Sequence, residues 1–122
     1  EAFYTSAVKS LGAIDDAGVL KYLQALGGRE MAGLLGALIA AGSQSIPVVI
    51  EGWGALAAYG VLYALRREST GHVRLAKVGG REQQIFASSM GLEPMLNIHS
   101  FEGPGCGVAI ALDCLKVLSA TA

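Results

Sequence analysis

A short apolar segment in the middle of the chain, residues 46–50 (IPVVI), places the strongest constraint on the fold. Its residues are apolar on both faces, which is typical of strands in parallel sheets covered by helices. Pro47 suits the first residue of such a strand, because proline cannot donate a ladder hydrogen bond further in. Apolar residues at helical spacing precede the segment at 29–41 and follow it at 53–67. The sequence therefore predicts an α/β fold, a layered parallel sheet flanked by helices, as a single domain over residues 1–122.

The rest of the chain continues this alternation of helices and strands. A second strand is expected at 73–78, where Arg74 and Lys77 alternate with apolar residues in the manner of an edge strand. Gly33 and Gly36 are expected to allow close packing of the helix that contains them. Further helices are predicted from apolar spacing and glycine stops at 7–11, 16–26, 81–90 and 107–119, the last with Val108, Leu112 and Leu115 on one face.

The composition is unusually apolar for a chain of this size. Hydrophobic residues make up 52% and charged residues 16%. The net charge is −1 and there is no basic block, so nucleic acid is not expected as a partner. Between Met31 and Leu65 only Glu51 is charged, but each apolar piece falls short of the roughly 20 residues that a membrane-spanning helix needs. We therefore expect no membrane span, and a core shared with a second copy in a homo-oligomer or with a partner chain.

Cysteine usage points to a reducing compartment. The two cysteines, Cys106 and Cys114, have no companions at metal-site spacing, and free thiols in the cytoplasm are expected. The two histidines, His72 and His99, also lack a second ligand at metal spacing. No signal peptide is visible. The sequence therefore predicts a cytoplasmic protein without a metal site.

Chemistry is expected where glycine turns follow strands or precede helices. Residues 102–107 (EGPGCG) form a glycine turn before an apolar helix, and unpaired N–H groups at such a helix end favour anionic or polar ligands. Glu102 in this turn is a candidate base, although a solvated glutamate in a helix-leading loop is the plainer interpretation. Glu51 and Gly52 follow the first strand and Gly79-Gly80 the second, at the edge where parallel sheets bind ligands. An exposed strand-end glutamate remains the alternative for Glu51.

Four segments, in order, resemble the nicotinate-nucleotide:dimethylbenzimidazole phosphoribosyltransferases. Residues 26–32 (LGGREMA) look like the family's LGGxEIA, and residues 46–53 (IPVVIEGW) resemble its IPVVLDGF. Residues 91–96 (GLEPML) match its GLEPLL, and residues 102–106 (EGPGC) resemble its EGTGA. The gaps between the segments are also similar, and the resemblance covers most of the chain.

The resemblance implies a transferase of cobalamin assembly. The family moves ribose 5-phosphate from nicotinate mononucleotide to 5,6-dimethylbenzimidazole, and no metal or other cofactor is required. Glu102 matches the family's catalytic base, with Gly103 and Gly105 beside it. Glu51 stands where the family has an aspartate beside the nucleotide, next to Gly52. Glu102 is therefore expected to be catalytic, and the residues expected to bind the substrates are Glu51, Gly52, Gly79, Gly80, Gly103 and Gly105.

Departures from the family pattern leave two classes of function open. The family's glycine-rich run that serves the nucleotide (GExGxGNT) is absent from these 122 residues, and the loop after residues 73–77 is shortened. Glu51 replaces an aspartate, and Pro104 and Cys106 replace a threonine and an alanine. The first class is a transferase completed by further residues or by a partner chain. The second is a non-catalytic, divergent domain that keeps the fold, oligomerises and binds a nucleotide or an aromatic heterocycle.

Overall fold

The computed structural model describes residues 16–98 and 105–122. Two parallel strands and five α-helices make up these residues, together with a 3₁₀ turn at Arg67–Thr70. The helix predicted at 7–11 lies outside the described residues. The strands are β1 (Val48–Ile50) and β2 (Val73–Leu75), and the helices are α1 (Asp16–Leu26), α2 (Arg29–Ser43), α3 (Gly52–Leu65), α4 (Arg81–Ser89) and α5 (Cys106–Thr121).

The sheet confirms the predicted parallel α/β arrangement, although β2 is shorter than the strand predicted at 73–78. β1 and β2 pair in parallel, with Val48 opposite Val73 and Ile50 opposite Leu75. β2 is an edge strand of this two-stranded sheet, and on its outer side Leu75 forms one isolated parallel bridge to Pro94. Arg74 is exposed as expected at an edge, whereas Lys77 is buried.

The core lies between the sheet and the two helices that precede and follow β1 in the chain, α2 and α3. α2 packs against α3, and both contribute leucines to the same cluster as the strands. The apolar spacing within 29–41 predicts that one side of α2 is lined by Met31, Leu34, Leu35, Leu38 and Ile39. This is only partly correct, because Leu35 and Leu38 are buried whereas Leu34 and Ile39 are exposed. The buried residues of this cluster are Leu35, Leu38, Ile50, Leu56, Ala58, Tyr59, Leu62, Val73, Leu75, Ala87, Met90 and Leu92.

The last helix, α5, buries only part of the face predicted from its apolar spacing, since Val108 and Leu115 are half-buried. Gly107 and Ala111 are its buried residues, and Leu112 is 43% exposed. Small side chains on the inner face let the helix approach β1 and the residues that follow β2 closely. None of the helices in the described parts of the chain has the length and hydropathy that a membrane-crossing helix needs.

Candidate active site

The candidate site lies at the carboxyl edge of the two-stranded sheet. β1 ends at Ile50 and is followed directly by Glu51, while β2 ends at Leu75 and is followed by Lys77 two residues later. Because the strands are parallel and in register, both side chains emerge at the same edge. The amino end of α5 reaches this edge as well, since the N–H of Val108 contacts the Glu51 side chain. Three separate parts of the chain therefore meet at one point.

The Glu51 carboxylate joins these parts through both of its oxygens. Oε2 accepts a hydrogen bond from the backbone N–H of Val108 at 3.0 Å, and Oε1 lies 3.6 Å from Lys77 Nζ. Val108 is the third residue of α5, so its N–H has no acceptor within the helix. A negative charge at this end also complements the helix dipole. The protein's own Glu51 carboxylate therefore accepts one of the helix-end N–H groups that were expected to bind an anionic ligand.

The ion pair between Glu51 and Lys77 is buried. The Glu51 side chain is 11% exposed and that of Lys77 is 6% exposed. The interpretation of Glu51 as an exposed strand-end residue is therefore wrong. The aliphatic stem of Lys77 crosses the first turn of α5, where a Cβ on Gly107 would lie 2.7 Å from Lys77 Cγ. Gly107 is accordingly the residue that lets the stem and the helix approach each other.

Two glycines of the predicted site have backbone conformations that other residues rarely adopt. Gly52, the first residue of α3, has φ of 82°, and Gly105, the N-cap of α5, has φ of 97°. A Cβ at either position would contact nothing within 4 Å, so each glycine faces open space. A ligand can therefore approach the backbone at both positions. Gly52 directly follows Glu51, and Gly105 is the N-cap of the helix whose Val108 N–H donates to the Glu51 carboxylate.

The Gly79-Gly80 loop is held by its own helix. The Gly79 N–H donates to Gln83 Oε1 at 2.8 Å, and Gln83 is 7% exposed. Gly80 is the N-cap of α4 with an extended backbone. Gln83 therefore satisfies one N–H of this loop, and substrate binding by Gly79 and Gly80 stays a prediction.

Glu102 and Gly103 lie outside the described residues, as does His99. The described residues resume at Gly105, three positions after Glu102. The role of Glu102 as a base therefore stays a prediction. Sequence reasoning missed Lys77 as a site residue and Gly107 as its contact. The signal in the sequence was the position of Lys77, which continues the steps of two from Val73 to Leu75. All three of these residues are buried.

A cleft of about 720 Å³ lies elsewhere, at the other end of the strands. It is lined by the end of α2, the end of α3 and the 3₁₀ turn, and includes Gly42, Leu65, Arg66 and Ser69. These elements precede the first residues of β1 and β2 rather than following their last residues. None of the predicted site residues lines this cleft, so the predicted chemistry and the cleft are separate features.

Comparison with known proteins agrees with the motifs. The family model described as "Phosphoribosyltransferase" (DBI_PRT) matches residues 5–122. Curated proteins of Brucella melitensis, Brucella canis and Brucella abortus are 38% identical over 98 residues, and each is named nicotinate-nucleotide–dimethylbenzimidazole phosphoribosyltransferase. The match covers 80% of this chain and 29% of each relative, so the chain spans under a third of their length. No solved structure matches the chain.

Proposed function

Because the chain belongs to the phosphoribosyltransferase family, we propose that it takes part in transferring ribose 5-phosphate from nicotinate mononucleotide to 5,6-dimethylbenzimidazole. The names of the curated relatives supply the donor and acceptor classes. The observation that carries the proposal is the meeting of Glu51, Lys77 and the amino end of α5 at the carboxyl edge of the sheet. Glu102, the proposed base, precedes this helix end by only a few residues.

In the proposed reaction, Glu102 accepts the proton from one ring nitrogen of the benzimidazole. The other ring nitrogen attacks the anomeric carbon of the ribose and forms the new C–N bond. The bond from that carbon to the pyridine nitrogen breaks, and nicotinate leaves with the electron pair. The products are α-ribazole 5′-phosphate and nicotinate. Positive charge develops at the anomeric carbon, where carboxylates nearby are stabilising.

The glycine turns around this edge are proposed to hold the substrates. Gly52 and Gly105 expose backbone at positive φ, and the proposal adds Gly79-Gly80 and Gly103, with Glu51 at the centre. The open backbone at Gly52 and Gly105 supports close approach of a planar ring or a phosphate. We propose that the protein works in the cytoplasm without a metal, as a homo-oligomer or with a partner chain. The nucleotide-binding glycine-rich run is proposed to come from further residues of the same protein or from that partner.

A second candidate is a non-catalytic domain that keeps the fold and binds an aromatic heterocycle. The observations that favour it lie within the matched region: the loop after residues 73–77 is shorter than in the family, and Pro104 and Cys106 replace the threonine and alanine of its glycine turn. Titration with dimethylbenzimidazole alone separates the two candidates when combined with an assay of nicotinate release. Binding without release by the polypeptide as its gene encodes it favours the second candidate.

The test of the transferase proposal is nicotinate release by the parent protein and by Glu102→Gln. Gln keeps the shape but does not accept the proton, so we expect turnover to fall about 10²–10⁴-fold, the usual contribution of a general base. Glu68→Gln is the matched control, because the Glu68 side chain is 78% exposed and pairs only at the surface with Arg66. Turnover by Glu102→Gln equal to that of the parent contradicts the assignment of the base.

A further inference from the structure

We propose that Glu51 and Lys77 are positioning residues of this site, whose ion pair fixes the amino end of α5, the helix that follows the proposed base Glu102 in the sequence. The inference rests on the proposed transferase function and goes beyond it, because it assigns a role to Lys77 and changes the role of Glu51. Glu51 then serves the reaction through the backbone of α5 rather than by touching the nucleotide.

Both Glu51 oxygens have partners within the protein. Oε2 accepts the Val108 N–H at 3.0 Å and Oε1 lies 3.6 Å from Lys77 Nζ. Each carboxylate oxygen can accept more than one hydrogen bond, but only 11% of the Glu51 side chain is exposed. Little of its acceptor capacity is therefore open to a substrate, and the carboxylate is directed at α5 and at the lysine that follows β2.

The end of β1, the residues after β2 and the start of α5, which meet at this ion pair, are far apart in the sequence. Glu51 and Val108 are separated by 57 positions, and Lys77 lies between them at the end of the other strand. The Lys77 stem also packs on Gly107, within the same helical turn. The pair therefore contacts α5 twice, once through a hydrogen bond and once through apolar packing. Removing either side chain loosens the link between the sheet and α5.

Glu102 lies close in sequence to the helix end that the ion pair contacts. It precedes the N-cap Gly105 by three residues, and three residues of chain span at most about 11 Å, at about 3.6 Å per residue. A displacement of about 1 Å in a reacting group can cost about 10²-fold in rate. A shift of the helix end is thus expected to appear in kcat.

The exposed ion pair between Lys116 and Asp113 provides a matched comparison on the same helix. Its N–O distance is 3.3 Å, shorter than that of the buried pair, but its side chains are 76% and 77% exposed. Exposed pairs contribute little, whereas removing one partner of a buried pair leaves a charge without compensation. We therefore expect loss of the shorter, exposed pair to affect turnover less than loss of the buried pair.

The experiment compares Glu51→Gln, Lys77→Met and Val108→Pro with the control Asp113→Asn. Proline is tolerated in the first turn of a helix, so Val108→Pro removes the N–H donor without changing a charge. We expect each of the three to lower kcat about 10²-fold while the KM for nicotinate mononucleotide changes less than about 3-fold. The control is expected to match the parent in both constants.

Hydrogen exchange at the Val108 amide provides a readout that does not depend on activity. We expect exchange to accelerate in Glu51→Gln and in Lys77→Met, with the helix retained by circular dichroism. The double variant Glu51→Gln/Lys77→Met is expected to lose less than the sum of the two single variants, because both substitutions act on the same ion pair.

Three outcomes overturn the proposal. A raised KM with unchanged kcat in Glu51→Gln shows direct contact with the nucleotide instead of positioning. Unchanged exchange at Val108 in both charge variants shows that the pair does not hold the helix. Accelerated exchange with unaltered kcat shows that the link has no part in turnover. If the parent itself releases no nicotinate, the transferase proposal fails, and exchange at Val108 still decides whether the pair holds α5.

Discussion

Gly107 determines how closely the last helix approaches the end of β2. The carbon stem of Lys77 lies where its side chain would be, and a Cβ there would be 2.7 Å from Lys77 Cγ and 2.9 Å from Cδ. The lysine is 5% exposed and its ammonium pairs with Glu51, so the stem has little freedom to move aside. A side chain at position 107 must therefore displace either the helix or the buried ion pair.

Gly107→Ala is expected to destabilise the protein. Overpacking of this kind typically costs about 1–3 kcal/mol, which exceeds the gain of about 0.5–1 kcal/mol from replacing a helical glycine by alanine. Gly36→Ala is the matched control within α2, because a Cβ at Gly36 would meet nothing within 4 Å. We expect it to stabilise the protein by about 0.5–1 kcal/mol. Urea unfolding of both variants gives the two free-energy changes, and a stabilised Gly107→Ala contradicts the packing argument.

The glycines show what sequence reasoning can and cannot locate at the level of residues. Gly33 and Gly36 were predicted to allow close packing, but neither faces a neighbour within 4 Å. Close approach occurs instead at Gly107 and at Gly60, where a Cβ would be 3.0 Å from Phe86 Cζ. Glycine is recognisable in a sequence, but which helix faces meet is decided by tertiary packing. The positive φ of Gly91, by contrast, agrees with its predicted place just after a helix.

At the level of elements, the start of α4 depends on one buried amide. Gln83, the third residue of the helix, turns back and accepts the Gly79 N–H at 2.8 Å. The arrangement resembles the glutamine half of a capping box, displaced by one residue. The bond holds the loop that follows β2, so this loop and α4 are expected to move together.

Gln83→Ala is expected to destabilise the protein by about 1–2 kcal/mol, because the Gly79 N–H loses its acceptor in a partly buried position. The neighbouring Gln84 is exposed, and Gln84→Ala is expected to change the free energy of unfolding by less than about 0.5 kcal/mol. Thermal unfolding, with hydrogen exchange at Gly79, measures both effects. Equal stabilities of the two variants count against a structural role of this amide.

The predicted bounds of the helices and strands agree with the structure more closely than the predicted exposure of their residues does. The helix predicted at 29–41 is found at 29–43, and the strand predicted at 46–50 is found at 48–50. Apolar spacing and glycine stops act locally, so they fix these bounds. The prediction for 73–78 took the charge of Lys77 as a sign of solvent exposure, and that part of it is wrong. A lysine paired with Glu51, 26 positions away, is buried, and its partner is not visible in local alternation.

At the level of the whole molecule, a large apolar surface remains exposed in the described part of the chain. Trp53 is 53% exposed and lies 6.2 Å from Phe86 between ring centroids. On α5, Val117 and Leu118 are 63% and 62% exposed. The composition predicted such an excess, because 52% hydrophobic residues exceed what a core of this size covers. The sequence does not determine which helices carry it, since the buried faces of α2 and α5 were predicted only in part.

The 122-residue chain by itself is therefore expected to self-associate. Contiguous exposed apolar surface is uncommon on soluble monomers, and a second copy removes it from water. Trp53 is the single tryptophan of the chain, so its emission should shift to shorter wavelength as the concentration rises and the surface becomes covered. Val117→Glu places a charge on α5 without touching Trp53, and Trp53→Gln removes the ring on α3. Sedimentation velocity of the parent and both variants over a concentration series shows which helix mediates association. A parent chain that sediments as a 12.5 kDa monomer throughout, with constant tryptophan emission, contradicts the prediction and shows that this apolar surface is stable in water without a partner.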